Sequence, residues 1–442
     1  MGRRPSTLQL AEVHRPSALS ALVSPFGVIH QASTIPAPRG LPVLTRARAT
    51  LGVVGSSDGR ETVGLGSTLD DRVTATTVAL AEAAERYAGL APGLVVDCRW
   101  ARAADLADEA VMDVGRIPRC SAIEYATPGC RVTPFDNDAV IRWSLGVDLV
   151  SGEPTWVPSA MAVYGLRHRT PGEQFCVSIS TGYAVHTDPW VALCSAVCEV
   201  FERDSVEIVW QQRLPLPPVA AHEISDNCKM LLRWAEDHFL RVLLFDATTD
   251  MGVPTVYCLV IAENDLQVRQ QASCATGISL AAAAEKCVLD ACAFRDRFGS
   301  PPPPETIKIK TDPRTFTSIT DGARYMELAE HASAFEFLVD GYADRVPLER
   351  PALPLNPEHR LCALIDIVRD HGLQAIAVDR TTSELAAVGL TAVCVVIPDL
   401  QPMTLQPLTR FRAHPRLYSA PALMGYRVLP EAELNPWPQP FA

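Results

Sequence analysis

The chain has 442 residues, 48% of them apolar, and its 39 basic and 51 acidic residues give a net charge of −12. This acidic balance disfavours general nucleic-acid binding. No apolar run reaches the roughly 18 residues that a membrane span needs, so we expect a cytoplasmic α/β protein built as one large unit or as two or three domains.

Residues 1–60 are predicted to form an N-terminal segment. The stretch Leu19–Ile29 faintly resembles a signal peptide, but Pro25 and the polar residues interrupt its apolar centre. We therefore expect an ordinary segment with a helix-like start and a short strand–turn region around Val28.

Glycines punctuate the chain between residues 50 and 70. Gly52–Ser57 and Gly64–Ser67 are each compatible with a phosphate-cradling loop or with a plain hairpin turn. Neither ends in the Gly-Lys-Ser/Thr of a Walker loop, so the turn is the simpler interpretation.

Helical and strand patterns alternate along the rest of the chain. Helices are predicted near residues 72–88, 188–210, 222–239, 279–297, 320–340, 356–371 and 381–388. Strands are predicted near residues 94–98, 140–145, 148–150, 155–157, 242–246, 254–262, 374–379 and 391–397. Long Ala-rich helices alternating with apolar strands predict an α/β or α+β layered fold, with helices packed on mixed β-sheets.

One short charged motif occurs twice. Residues 82–86 and 199–203 both read Glu-x-x-Glu-Arg, with alanines seven and three residues before the first acid. Positions i, i+3 and i+4 share a helix face, so each copy places two carboxylates and one guanidinium side by side above a stripe of small residues. That stripe is predicted to let helices approach closely. A weaker third copy has Asp290 as its first acid.

A single Glu-x-x-Glu-Arg is usually a solvated helix face with intrahelical ion pairs. The recurrence and the apolar surroundings of both copies favour a ligand instead, because charges on an apolar helix are generally paired or ligand-bound. Two such faces brought together hold four carboxylates and two arginines. Mg²⁺ bound to phosphates is the natural counter-charge for that set.

These motifs resemble the signatures of YcaO-type enzymes. The resemblance rests on Gly64–Arg86, Ser180–Asp204 and Ala283–Arg295, and on a closing strand–helix–strand from Val378 to Pro398. It implies that residues 61–442 form one YcaO-like domain, which binds ATP and Mg²⁺ as its cofactors.

The resemblance also implies roles for single residues. The implied metal ligands are Glu82, Glu85, Glu199 and Glu202. The implied ATP contacts are Ser67, Arg86, Ser180, Thr187, Arg203, Lys286, Asp290 and Arg295. Several positions depart from the family pattern: Leu65 replaces a lysine, Thr187 an asparagine, Lys286 an arginine and Asp290 a glutamate. Because of these departures, a weakened or lost ATPase activity stays an open alternative.

The last eight residues, 435–442, read Asn-Pro-Trp-Pro-Gln-Pro-Phe-Ala. Alternating prolines hold an extended polyproline II conformation, which by itself is typical of a disordered terminus or an SH3-type ligand. In a YcaO-like chain this tail resembles the Pro-x-Pro-x-Pro end of the azoline-forming branch. That resemblance implies that Pro436, Pro438, Pro440 and Ala442 lie near the nucleotide and shape the catalysis.

Three functions stay open at this point. The first is an ATP-dependent cyclodehydratase subunit, which converts Cys, Ser or Thr of a ribosomally made precursor peptide into thiazolines or oxazolines by phosphorylating the backbone amide oxygen. The second is a non-catalytic YcaO-like scaffold in a complex that makes a peptide natural product, such as an antibiotic. The third is a YcaO-like enzyme making a thioamide or an amidine. The tail favours the first, and the departures favour the second.

The resemblance implies partners as well. We expect a separate leader-binding subunit of the ThiF-like or clasp type to present the precursor peptide, because the roughly 60 N-terminal residues are too few for such a module. A flavin dehydrogenase that oxidises azolines is a further expected partner. A homo- or hetero-oligomer is expected, and neither a nucleic-acid nor a membrane partner is.

Overall fold

The computed structural model describes residues 18–38, 40–41, 43–52, 62–69, 71–91, 98–266, 268–299, 310–316 and 319–441. The strands of this part of the chain are β1 (Ile29–Ile35), β2 (Leu44–Leu51), β3 (Val63–Leu69), β4 (Cys98–Ala101), β5 (Ile141–Asp148), β6 (Pro154–Pro158), β7 (Tyr183–His186), β8 (Arg241–Asp246), β9 (Thr255–Ile261), β10 (Gln270–Thr276), β11 (Ile376–Asp379) and β12 (Thr391–Val396). Its helices are α1 (Arg72–Leu90), α2 (Ala122–Ala126), α3 (Ser159–Ala162), α4 (Pro189–Gln212), α5 (Asp226–Asp237), α6 (Leu280–Gly299), α7 (Ile319–Met326), α8 (Glu336–Val339), α9 (Pro357–Asp370), α10 (Ser383–Ala387) and α11 (Arg416–Leu423).

The strands form three sheets, and every pairing between them is antiparallel. The strand orders are β1-β2-β3, β10-β9-β8 and β4-β5-β11-β12-β7, with β6 paired to β5. Strands β3, β7 and β10 therefore each lie at an edge of a different sheet. Helix α1 packs on the first sheet, α6 on the second, and α4 contacts β7, β12 and β10. The predicted layered α/β fold is confirmed.

Helix α4 is the central helix of the fold. It begins at Pro189 after the N-cap Asp188, whose side chain accepts the Trp190 N–H, and it ends where Arg213 takes a left-handed φ of 50°. Every residue from Ser205 to Gln212 is buried, because sheet, tail and connector cover this part of the helix on all sides.

Gly64 and Gly66 lie inside strand β3, so the loop and turn interpretations of this segment are both wrong. A Cβ on Gly66 would come within 2.0 Å of the Ala75 carbonyl oxygen, and one on Gly64 within 2.2 Å of the Ala79 oxygen. The glycines are thus required by the close approach of strand and helix. The alanine stripe of α1 faces this strand rather than a second helix, which corrects the prediction of helix-to-helix packing. Gly52 is described, but residues 53–57 lie outside the described residues.

Most other predicted elements are confirmed with shifted bounds, but residues 94–97 of the strand predicted at 94–98 lie outside the described residues. Strand β5 runs unbroken where two strands were predicted, and the predicted helix near residues 320–340 is divided into α7, a 3-10 segment and α8. The polar strand β10, which reads Gln-Gln-Ala-Ser-Cys-Ala-Thr, was not predicted because it lacks the apolar run of its neighbour β9. Strand β1 pairs with β2 and β2 pairs with β3, so the boundary predicted at residue 60 falls within one sheet. No helix of the described residues is long and apolar enough to cross a bilayer.

The C-terminal tail lies in the protein core, so the disordered-terminus interpretation is wrong. The Asn435 N–H donates to the Gln211 carbonyl oxygen at 2.8 Å, and the Trp210 indole donates to the Trp437 carbonyl oxygen at 3.1 Å. Pro438 and Pro440 are buried, while Pro436 is exposed. The Phe441 ring packs edge-to-face on Tyr257 with centroids 5.0 Å apart. Ala442 lies outside the described residues.

The contact between β3 and α1 gives a first test of the fold. We expect Gly66→Ala to lower the free energy of unfolding by about 3 kcal/mol, because the added methyl group forces strand and helix apart. Chemical denaturation measures this change. Gly115→Ala is the matched control, since its nearest atom is the end of the flexible Asp113 side chain at 3.0 Å. Equal stability of the two variants would contradict the packing described.

Candidate functional site

Three carboxylates are each held by a backbone N–H from the edge strand of a different sheet or the turn leading into it. The Leu65 N–H in β3 donates to Glu82 at 2.7 Å. The Gly182 N–H, just before β7, donates to Glu199 at 3.0 Å. The Thr276 N–H at the end of β10 donates to Glu202 at 2.8 Å. The three sheet edges therefore meet around one group of acids.

The two arginines pair with the acids of their own helices. Arg86 lies 3.1 Å from Glu82 and 3.5 Å from Glu85. Arg203 lies 3.2 Å from Glu199 and 3.3 Å from Glu202. These are the intrahelical pairs that a solvated helix face would show, so the pairs alone do not identify a site. The evidence for a site is that the two faces meet.

Charged side chains of α1 and α4 lie close enough to act on each other electrostatically. Burial raises the pKa of Glu85, the charges of Glu199 and Glu82 raise it further, and Arg86 and Arg203 oppose the rise. Glu85 on α1 therefore senses both an acid and an arginine of α4. The predicted convergence of the two repeated motifs is seen in the structure.

Helix α6 completes the group. The pKa of Asp290 is raised to about 6, chiefly by burial and also by Glu202 and Glu82, while Lys286 opposes the rise. The pKa of Lys286 is raised, chiefly by Glu202. The third, weaker copy of the motif thus lies against the first two. We call Glu82, Glu85, Arg86, Glu199, Glu202, Arg203, Lys286 and Asp290 the acid cluster.

The acid cluster lines a recess that solvent reaches. The side chains of Glu82, Glu85 and Glu199 keep 29%, 20% and 23% of their exposure, although burial dominates the pKa of Glu85. Five carboxylates against three cations leave a formal excess of two negative charges when all are ionised. An oxygen-rich set with this excess suits a hard divalent cation, and Mg²⁺ prefers such ligands. The chain's own residues thus fit a metal ion with an anionic ligand.

Two predicted ATP contacts lie beside this recess. Ser67 is two residues after Leu65, so its N–H points to the same free edge of β3. The Ser180 carbonyl oxygen accepts the Tyr183 N–H and closes the turn that presents Gly182. In that turn Gly182 has φ of +83°, which favours glycine.

Two other predicted ATP contacts are not brought to the acid cluster. Thr187 is exposed just before α4 begins at Pro189, and ten helical residues, about 15 Å, separate Pro189 from Glu199. Arg295 pairs with Asp265 at 2.9 Å and donates to the Val268 carbonyl oxygen at 2.7 Å. Asp265 therefore neutralises the charge of Arg295. Arg295 lies on the part of α6 that follows Asp290.

Two side chains, those of Tyr257 and Cys274, connect the tail to the acid cluster. Phe441 contacts Tyr257, which pairs across the sheet with Cys274. Cys274 in turn is one of the groups that raise the pKa of Arg203. Sequence reasoning missed Thr276 and Cys274 because both lie on the unpredicted strand β10. The only signal for this strand was Glu202, a carboxylate that needs the N–H of a strand edge as its hydrogen-bond donor.

The sequence is similar to those of known proteins. Residues 66–401 match the family described as YcaO cyclodehydratases that bind ATP and Mg²⁺. A curated relative from Rhizobium leguminosarum bv. trifolii, an uncharacterized protein in the tfuA 3′ region, is 26% identical over 205 residues, which is 45% of each chain.

Solved structures share the fold at low sequence identity. A heterocyclase in complex with substrate and cofactor is 20% identical with a TM-score of 0.79, and the match covers 97% of this chain and 57% of that one. The chain thus spans little more than half the length of this heterocyclase. YcaO from Methanopyrus kandleri, bound with AMPPCP and Mg²⁺, is 16% identical with a TM-score of 0.59 over 88% of this chain and 89% of that one. The E. coli microcin synthetase McbBCD complex with pro-MccB17 bound is 14% identical with a TM-score of 0.61, and the match covers 92% of this chain and 96% of that one.

The raised pKa of Asp290 gives a test that needs no activity. A shift from 3.8 to about 6 means that, above pH 6, the native state holds this carboxylate ionised at a cost of about 3 kcal/mol. We therefore expect Asp290→Asn to stabilise the metal-free protein by about 1–3 kcal/mol at pH 7.5, and the gain to disappear as the pH falls towards 4. Denaturation in a chelator at several pH values measures this difference.

The exposed Asp366 on α9, paired with Arg369 at 2.7 Å, supplies the control. Asp366→Asn should change stability by less than about 0.5 kcal/mol at every pH. A gain from Asp290→Asn that does not vary with pH would mean that Asp290 is not the strained carboxylate described.

Proposed function

The chain belongs to the YcaO family, and we propose that it is an ATP-dependent cyclodehydratase subunit that forms thiazolines or oxazolines in a ribosomally made precursor peptide. The observation that carries the proposal is the meeting of both Glu-x-x-Glu-Arg faces in one open recess. ATP and Mg²⁺ are the proposed cofactors, as for the family as a whole.

The acid cluster supplies the groups that such cofactors need. Glu82, Glu85, Glu199 and Glu202 would hold Mg²⁺, which neutralises phosphate charge when bound. Three of these acids are already oriented by backbone N–H groups at 2.7–3.0 Å. Little reorganisation is therefore required on binding. Arg86 and Arg203 pair with the acids of their own helices and would contact the phosphates.

The proposed reaction removes one water from the peptide for each ring formed. The side chain of Cys, Ser or Thr attacks the preceding backbone carbonyl carbon and gives up its proton. The former amide oxygen takes a phosphoryl group from ATP and leaves as phosphate, and loss of the amide proton leaves a C=N bond in the ring. The chain's residues would hold the phosphate donor in place.

The tail supports the azoline branch over the thioamide and amidine alternatives. Its buried prolines and Phe441 carry the C-terminus to within two side chains of Arg203. A pre-ordered polyproline segment loses little entropy when it is held in this way. Pro436, Pro438, Pro440 and Ala442 keep their proposed role in shaping the catalysis.

The scaffold alternative receives less support from the site. Departures from the family pattern surround the repeated motifs, at Leu65, Thr187, Lys286 and Asp290 among other positions, whereas both motifs are intact and converge. Leu65 contributes its backbone N–H to Glu82, so the missing lysine side chain does not remove that contact. Lys286 and Asp290 keep the charges of the residues they replace.

Partners are proposed on the same basis. The E. coli microcin synthetase that shares this fold is a complex with its precursor bound. We propose that this chain likewise acts on a precursor peptide with a leader-binding subunit of the ThiF-like or clasp type. A flavin dehydrogenase would act afterwards, and the assembly would be a homo- or hetero-oligomer in the cytoplasm.

Glu202→Gln tests the metal site directly. The amide keeps the size of the side chain but removes a ligand charge, so we expect ATP hydrolysis to fall at least about 100-fold with little change in Tm. Phosphate release measured with the precursor and partner present gives the rate. Glu236→Gln on the exposed face of α5 is the control and should hydrolyse ATP like the wild type. Unchanged turnover by Glu202→Gln would refute the metal assignment.

Removal of Phe441 and Ala442 tests the tail. We expect the truncated protein to bind precursor but to lose dehydration, which mass spectrometry detects as loss of water from the peptide. Phe441→Leu keeps an apolar contact with Tyr257 and should retain dehydration, with stability reduced by less than about 1.5 kcal/mol. Full dehydration by the truncated protein would show that the tail has no catalytic role.

A further inference from the structure

A second recess lies between the tail and the segment that follows β12. It encloses about 280 Å³, including the part open to solvent, and its wall contains Gly322, Thr404, Gln406, Arg410, Pro438 and Gln439. None of these residues belongs to the acid cluster.

Arg410 is a buried cation without an ion pair among the described residues. Its side chain is 3% exposed, and Nη1 donates to the Asn435 carbonyl oxygen at 2.6 Å. Nη2 has no hydrogen-bond partner. A buried N–H group without an acceptor is unfavourable, so Nη2 in this position calls for an anion or for another acceptor.

The nearby acids are occupied by other donors. Glu207 accepts the Thr404 N–H at 3.1 Å and the Gln211 amide at 3.0 Å. Glu124 accepts the backbone N–H of Arg410 at 2.6 Å and that of Arg412 at 2.8 Å. Both acids act on Arg410 from a distance, and neither forms an ion pair with its guanidinium.

Further donors surround the same space. Gln439 is 6% exposed, its Oε1 accepts the Phe441 N–H at 2.6 Å, and its Nε2 has no partner. The Thr404 hydroxyl accepts the Gln406 N–H at 3.1 Å, which leaves its own proton to donate. The Gln406 amide has an unpartnered Oε1 and can rotate to present Nε2 instead.

We propose that this recess binds one small monovalent anion, a halide. Arg410 supplies the charge, and Gln439 and Thr404 supply neutral donors. Although the recess measures about 280 Å³ together with its open part, its interior admits a group of about the size of a single water molecule. That size excludes phosphate and larger anions. Because Gln439 belongs to the tail and Arg410 to the body, the bound ion links the two. The inference does not depend on the proposed catalysis.

Bromide is the probe for this site, because it scatters anomalously. Crystals of the full chain soaked in sodium bromide should show an anomalous peak within about 4 Å of Arg410 Nη2. In solution, bromide should raise Tm saturably by about 2–4 °C over sodium gluconate at equal ionic strength, because gluconate is too large to enter. An ordered water in place of the peak, together with equal Tm values in the two salts, would overturn the proposal.

Variants separate this site from general salt effects. Arg410→Gln and Thr404→Val should each lose the bromide-specific rise, and Thr404→Val guards against a failure of Arg410→Gln to fold. Arg427→Gln is the control, because Arg427 forms a surface pair with Glu433 at 2.9 Å and should keep the full rise. An undiminished rise in Thr404→Val and in any folded Arg410→Gln would refute the assignment.

Discussion

The site depends on one constraint: carboxylates gathered in a recess must each be held by a donor that cannot move away. Edge strands meet this requirement, because their outward N–H groups have no strand to pair with. Here Glu82, Glu199 and Glu202 take these donors from three separate sheets or from the turns beside them. The same hydrogen bonds satisfy the sheet edges and fix the acids, so the fold and the site are stabilised by the same contacts.

Helix α4 carries this constraint through the molecule. Its Glu199, Glu202 and Arg203 belong to the acid cluster, while the next residue, Asp204, forms a fully buried pair with Arg416 at 2.8 Å. At the following residue, the Ser205 hydroxyl donates to the Ala247 carbonyl oxygen at 2.6 Å. A helix fixed on so many sides cannot rotate, so its carboxylates stay aimed into the recess. Removal of Arg416 alone would leave a buried charge, at a cost of about 3–5 kcal/mol.

The tail and the acid cluster are connected through the same helix. Gln211 and Trp210 at the end of α4 hold Asn435 and Trp437 of the tail. Those contacts position Phe441 against Tyr257, next to the strand whose Thr276 N–H holds Glu202. Packed side chains thus connect the tail to the strand that holds Glu202, and an ion bound by Arg410 would lie beside the tail.

The sequence by itself determined the repeated charged motif, the alanine stripes beneath it and the layered class of the fold. These follow from local rules, because helix spacing places i, i+3 and i+4 on one face and small residues permit close packing. Only the tertiary structure decided what meets those faces. It placed Gly64 and Gly66 in a strand against α1, paired Arg295 with Asp265, left Thr187 before the start of α4 and buried the tail. Each of these outcomes depends on partners distant in sequence, and the polar strand β10 that supplies Thr276 has no local pattern that would reveal it.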